Sequence, residues 1–144
     1  MNITLRNINE DNWRECIALK VSKEQERFVA TNVNGLALAY AHKEMQPRAI
    51  YAEDEMVGFL MYAKDPDDGI YYINRFMIDE NFQKKGFGEK ALGILLKDLK
   101  EIGIESVDIL HKPDNEIAIK LYRRLGFKLT DEKLGDDVIS TVNL

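Results

Sequence analysis

The sequence predicts an α/β protein of the α+β type, with a mixed, mostly antiparallel sheet of about six to seven strands and helices on both faces. Three observations predict it. Short alternating apolar segments recur along the chain; two amphipathic helical stretches fall near 87–102 and 113–125; and one strand, helix, strand unit at 70–110 demands a parallel pair. With 144 residues, 45% hydrophobic and 31% charged, the chain reads as one domain, 1–144, able to bury a core.

The elements follow in order. Ile3, Leu5 and Ile8 begin an edge strand, and Asn9-Glu10-Asp11 supply helix-start chemistry ahead of Trp13, Cys16, Ile17 and Leu19. Ser22 to Met45 is helix-prone, and Asn32-Val33-Asn34-Gly35 predicts a break between two helical pieces, so the region reads as a flap. Arg48 to Glu53 and Met56 to Ala63 predict a hairpin turning at Asp54-Glu55. Asp65-Pro66-Asp67-Asp68-Gly69 is a concentrated turn signal leading into the central strand, Ile70 to Ile78, rich in Ile, Tyr and Phe. Leu92, Leu95, Leu96, Leu99 and Ile102 form a helical stripe that ends before Gly103. Ile104 to Leu110 predicts a strand. Pro113-Asp114-Asn115 opens a helix carrying Ile117, Ala118, Leu121, Tyr122 and Leu125, and Gly126 stops it. Phe127 to Leu129 and Val138 to Val142 predict the last strands, turning at Gly135-Asp136-Asp137.

Composition excludes several classes. A net charge of -5 argues against a general nucleic-acid binder, which needs a basic face to replace phosphate counterions. Cys16 is the sole cysteine, so no internal disulfide or thiolate metal cluster is expected, which fits a reducing cytoplasm. The polar start of the chain lacks the apolar core of a secretory signal, and no apolar run approaches the ~20 residues of a membrane span.

Gln83-Lys84-Lys85-Gly86-Phe87-Gly88 stands between a strand and a helix, where several backbone N–H groups and the helix dipole converge on an anion. Gly86 and Gly88 allow close backbone approach, and Lys84 and Lys85 add positive charge suited to a diphosphate. Gly86 to Ala91 also satisfies the dinucleotide pattern G-x-G-x-x-G/A. In that fingerprint, however, the first glycine follows its strand almost at once, whereas Asp79 to Lys85 intervene here, and the chain cannot supply a six-stranded parallel sheet. No Walker loop occurs.

With Gln83-x-x-Gly86-x-Gly88 followed by Asn115-x-x-Ala118-x-x-Leu121-Tyr122-x-x-x-Gly126-Phe127, the chain resembles the GCN5-related N-acetyltransferase superfamily. The resemblance is strongest from Tyr72 to Phe127 and weak over the first 45 residues. It implies a splayed central parallel pair and acetyl-coenzyme A as cosubstrate, with no metal. The Gln83 to Gly88 loop would bind the pyrophosphate, Phe76, Met77 and Ile78 would pair with the pantetheine arm, and a backbone N–H near Phe76 would form an oxyanion hole. Asn115 would bond the pantetheine; as a residue, it equally suits helix capping. Tyr122 would be the catalytic acid that protonates the departing thiolate.

Many relatives place a carboxylate near the central strand, but Ile70 to Ile78 offers only Tyr71, Tyr72 and Asn74, which leaves the general base unassigned. Val21 to Glu26 and Tyr72 to Asp79 resemble bacterial spermine and spermidine acetyltransferases. That resemblance implies a small, polycationic amine as partner, with Asn74, Glu24 and Glu26 as substrate contacts and Glu53, Glu55 and Asp79 as further negative charge; solvated surface is the alternative for these carboxylates. Two other readings stay open: acetylation of a different amine (an aminoglycoside, an amino-acid derivative or a protein N-terminus), and a silent acyl-coenzyme A sensor. The resemblance is compatible with a homodimer. Cys16 reads as core, and His42 and His111 receive no role.

Overall fold

In the computed structural model, which describes residues 1–144, one seven-stranded sheet carries helices on both faces. The chain order is β1 (Ile3–Asn7), α1 (Trp13–Ala18), α2 (Asn32–Ala41), β2 (Gln46–Ala52), β3 (Glu55–Lys64), β4 (Tyr71–Ile78), α3 (Phe87–Glu101), β5 (Ser106–His111), α4 (Glu116–Arg124), β6 (Lys128–Leu134) and β7 (Asp137–Asn143). Across the sheet the strands lie β1-β2-β3-β4-β5-β7-β6. Every neighbouring pair is antiparallel except β4 and β5, as the strand, helix, strand unit requires.

Alternation along each strand sorts the core onto two faces. On one, Phe87, Leu92, Leu95 and Leu99 of α3 and Tyr122 of α4 pack on Ile50, Leu60, Ile73, Val107 and Ile109. On the other, Cys16 of α1 joins Ala49, Tyr51, Met56, Phe59, Met61 and Met77, with Leu36 and Ala39 of α2 packed against them. Cys16 is fully buried, and burial pushes its thiol up to about 11, so it is core and not a nucleophile.

Three expectations need correction. Asn32 to Gly35 is the first turn of α2 and not a break: the Thr31 hydroxyl accepts from the Asn34 N–H at 3.2 Å, and a Cβ on Gly35 would lie 3.3 Å from Phe59 Cε2. The helix starts here because it is capped, and its glycine permits close packing. Ahead of it, Ser22 to Ala30 holds only one short 3₁₀ turn, Lys23–Gln25. Ile102 leaves the α3 stripe and lies 66% exposed at the helix end, where the Ile104 N–H returns to the Leu99 carbonyl. Smaller shifts move the β2–β3 turn to Glu53-Asp54 and extend β6 to Leu134.

Candidate active site

Parallel pairing stops at Ile73 opposite Ile109, although β4 continues to Ile78 and β5 to His111. The cause is the next residue. Across β3, Tyr62 pairs with Ile73 and Met61 with Arg75, so Asn74 is an extra residue without a partner. A bulge of this kind bends its strand and increases the local twist, and the rest of β4 diverges from β5. A cleft of about 840 Å³ occupies the gap. Phe76, Met77 and Ile78 border it, and no strand pairs with them on that side.

One end of the cleft is the turn into α3. Lys84 at φ 65° and Gly86 at φ 80° adopt the left-handed conformation, and Gly86 immediately precedes the helix. The N–H groups of the first turn, unpaired within the helix, therefore sit at the cleft wall formed by Gly86, Phe87 and Gly88. A Cβ on Gly88 would meet Phe76 Cζ at 2.8 Å, so the approach of α3 to β4 depends on that glycine. Gln83 and Lys84 also border the cleft, with Gln83 Nε2 donating at 2.8 Å to both the Ile78 carbonyl and Gln25 Oε1. Lys85 does not border it; its Nζ lies 5.9 Å over the Phe82 ring.

α4 supplies the other wall. Asn115 Oδ1 accepts from the Ala118 N–H at 3.4 Å, which caps the helix, and Asn115 borders the cleft as well. Tyr122 is buried among three rings: His111 at 5.4 Å, Phe127 at 5.9 Å and Phe76 at 6.3 Å between centroids. Burial alone raises its phenol above the ordinary value, so the hydroxyl keeps its proton. His111, given no role from sequence, borders the cleft beside Tyr122. Its one sequence signal was phase: it shares the inward side of β5 with Val107 and Ile109.

The segment before α2 spans the mouth. Val21, Gln25, Arg27 and Phe28 border the cleft, whereas Glu24 and Glu26 are exposed and do not. Arg27 Nη1 donates to Asp114 Oδ2 at 2.7 Å. Asn74 borders the cleft; its Nδ2 donates to Met45 Sδ at 3.5 Å, and its Oδ1 is buried without a partner. Neither Glu53 nor Glu55 reaches the cleft, and the buried Asp79 carboxylate accepts from the Lys20 and Asn81 N–H groups, fastening the loop after α1 to the end of β4. The charges that do border it are five cations, Arg27, Arg75, Lys84, Lys112 and Arg124, against Glu89 and Asp137. Such a cleft attracts a polyanion.

Known proteins agree with this arrangement. The sequence model described as "Acetyltransferase (GNAT) family" matches residues 5–127. A spermine/spermidine N(1)-acetyltransferase of Bacillus subtilis is 32% identical over 139 residues, covering 92% of this chain and 91% of that protein. Among solved structures, a domain from Methanocaldococcus jannaschii superposes with a TM-score of 0.81 at 22% identity, covering 99% of each chain. The PaiA N-acetyltransferase of Thermoplasma acidophilum, solved in complex with coenzyme A, superposes at 0.68 and 17% identity over 100% of each chain. Because the matched region takes in the bulged strand, the glycine turn into α3 and the helix bearing Tyr122, the chain belongs to the GNAT acetyltransferase family.

Proposed function

We propose that this protein transfers an acetyl group from acetyl-coenzyme A to a primary amine, and that the amine is a polyamine such as spermine or spermidine. The observation that carries the reading is the divergence of β4 from β5 at Asn74, flanked on one side by the Gly86–Gly88 turn and on the other by Tyr122. In this reading the backbone of Phe76 to Ile78, free on its cleft side, takes the pantetheine as an added strand. The first N–H groups of α3, with Lys84, hold the diphosphate. The excess of cations along the cleft suits the same polyanion.

The chemistry follows from charge. The amine must lose one proton before its nitrogen bonds to the thioester carbon; once that bond has formed the nitrogen sheds a second, and collapse of the tetrahedral intermediate breaks the carbon–sulfur bond and leaves negative charge on sulfur. Both protons leave to water, since no carboxylate stands on β4 and the two that border the cleft, Glu89 and Asp137, are paired with Arg124 and Lys112. Tyr122, still protonated because burial disfavours its phenolate, donates to the sulfur. A phenol above 10 is a weaker acid than a thiol of about 8.5. The donation therefore acts first as a hydrogen bond to the nascent thiolate, and water returns a proton to oxygen as one crosses to sulfur.

The polyamine acceptor is supported by the Bacillus subtilis relative, a spermine/spermidine N(1)-acetyltransferase. Asn74, at the bulge, is the cleft residue offered for the amine; Glu24 and Glu26, exposed on the outer side of the segment over the mouth, suit only the far end of a long acceptor. The test is release of free thiol from acetyl-coenzyme A with a panel of amines. Fastest release with spermine or spermidine supports the reading. Faster release with an amino-acid derivative or an aminoglycoside overturns the acceptor, and no release with any amine despite coenzyme A binding overturns the activity.

A further inference from the structure

We infer that His111 and Ser140 form a positioning pair that holds the Tyr122 ring against the cleft; the inference rests on Tyr122 acting as the proton donor. Tyr122 borders two cavities. In front is the 840 Å³ cleft; behind it lies a second space of about 200 Å³, bordered also by Ile119, Phe127, Leu129 and Ser140. Tyr122 thus has open volume on two sides. Packing alone leaves it somewhere to go, and a donor that retreats into the rear cavity loses its line to the sulfur.

Of the three rings around Tyr122, His111 alone is tied by hydrogen bonds of its own. His111 Nδ1 lies 3.1 Å from the Lys112 carbonyl oxygen, which can only accept, so Nδ1 carries the proton. Nε2 is then the lone-pair nitrogen, and the Ser140 hydroxyl donates to it at 2.8 Å. His111 is 6% exposed and Ser140 5%, so water competes little for the buried Nε2 bond. The two bonds fix both the tautomer and the rotation of the imidazole, because a turned ring loses both. The pairing is built into the sheet: Ser140 sits opposite Ile109 on β7, two residues from Val138, the partner of His111, so both side chains project from the same face. The imidazole stands 5.4 Å from the Tyr122 ring at an interplanar angle of 56°, and His111 also borders both cavities, so it supports the tyrosine between the same two spaces.

The test compares Ser140→Ala, Ser140→Thr, His111→Phe and Tyr122→Phe by turnover with saturating amine and by acetyl-coenzyme A affinity. His111→Phe keeps a ring of similar size and loses both bonds. It is expected to lower kcat roughly tenfold or more, a loss in keeping with small displacements of a reacting group, with cofactor affinity changed less than about twofold. Ser140→Ala is expected to lower kcat several-fold, Ser140→Thr to retain it, and Ser140→Ala to cost nothing further in a His111→Phe background. Wild-type kcat in His111→Phe and Ser140→Ala, with Tyr122→Phe slow, overturns the positioning pair alone. Wild-type kcat in Tyr122→Phe overturns the role of Tyr122 itself. Where His111→Phe fails to fold, the contrast between Ser140→Ala and Ser140→Thr decides: equal turnover in the two overturns the inference.

Discussion

Arg27 and Asp114, 87 positions apart in the chain, meet through a 2.7 Å hydrogen-bonded ion pair that ties the segment before α2 to the residue ahead of the α4 cap. On its other side the same segment is held by Gln25, whose Oε1 accepts from Gln83 Nε2 at the start of the turn into α3. The segment is therefore a strap with a fastening on each bank of the cleft. Arg27→Ala or Asp114→Asn is expected to speed coenzyme A release by roughly two- to fivefold, the modest effect of an exposed pair, and exchanging the two charges is expected to restore the slower rate. Rapid-mixing displacement of labelled coenzyme A measures it; unchanged release in both single variants removes the pair from gating.

The same pair has an acid limit. The Arg27 hydrogen bond holds the Asp114 carboxyl below the ordinary aspartate value. A depressed folded pKa means that its contribution is complete above about 3.9 and is lost as pH falls through the lowered value. Coenzyme A release from the wild type is expected to quicken only in that acid range, while Asp114→Asn is expected to be insensitive there.

Gly88→Ala tests the close approach of α3 to β4. With Phe76 Cζ 2.8 Å from the new Cβ, the Phe76 ring must shift, and that ring touches both the cleft and Tyr122. Coenzyme A affinity is expected to fall on the order of tenfold, a loss of about 1.4 kcal/mol, measured by calorimetric titration. Unchanged affinity would show that the strand accommodates the methyl group.

Cys16 offers a test of the core on the α1 side. Its folded pKa of about 11 lies above the unfolded value of about 8.5. Its contribution is therefore fully present below the unfolded value and is lost as pH rises through the folded one. The wild-type Tm is expected to decline across that alkaline window more steeply than the Tm of Cys16→Ala, and a thiol reagent is expected to label native protein only on unfolding. Rapid labelling of the native state would contradict the burial.

Asn74→Ala separates architecture from recognition. Its buried Oδ1 has no partner, so truncation removes an unsatisfied group and is expected to change stability by less than about 1 kcal/mol. If Asn74 meets the amine, the KM for the acceptor rises while acetyl-coenzyme A affinity stays fixed. Unchanged kinetics leaves the residue a purely geometric role.

The parts of the fold legible in sequence are those governed by local period. Leu92, Leu95, Leu96 and Leu99 announce α3, and Gly86 and Gly88 announce its start, because spacing and conformational freedom are properties of a few consecutive residues. Asn32 to Gly35 misled because the Thr31 cap and the space beside Phe59 outweigh the turn tendency of Asn and Gly, and only the second of these is a tertiary fact. Glu24 and Glu26 lie in the stretch that resembles the polyamine acetyltransferases, but the strap turns Val21, Gln25 and Arg27 to the cleft and leaves both glutamates in solvent, an orientation that the tertiary packing sets. The surplus of Asn74 could not be read locally at all: a bulge is defined by what the neighbouring strand counts, and β3 does that counting.

That surplus has an arithmetic consequence. Removing Asn74 would leave Ile73 opposite Tyr62 and Arg75 opposite Met61 as consecutive pairs, returning β4 to an even register with no change of partner or of facing for Arg75 to Ile78. The opening between β4 and β5 is thus written in the length of one strand, not in the chemistry of its residues. Deletion of that single position is a more complete way to abolish the cleft than any substitution along its walls.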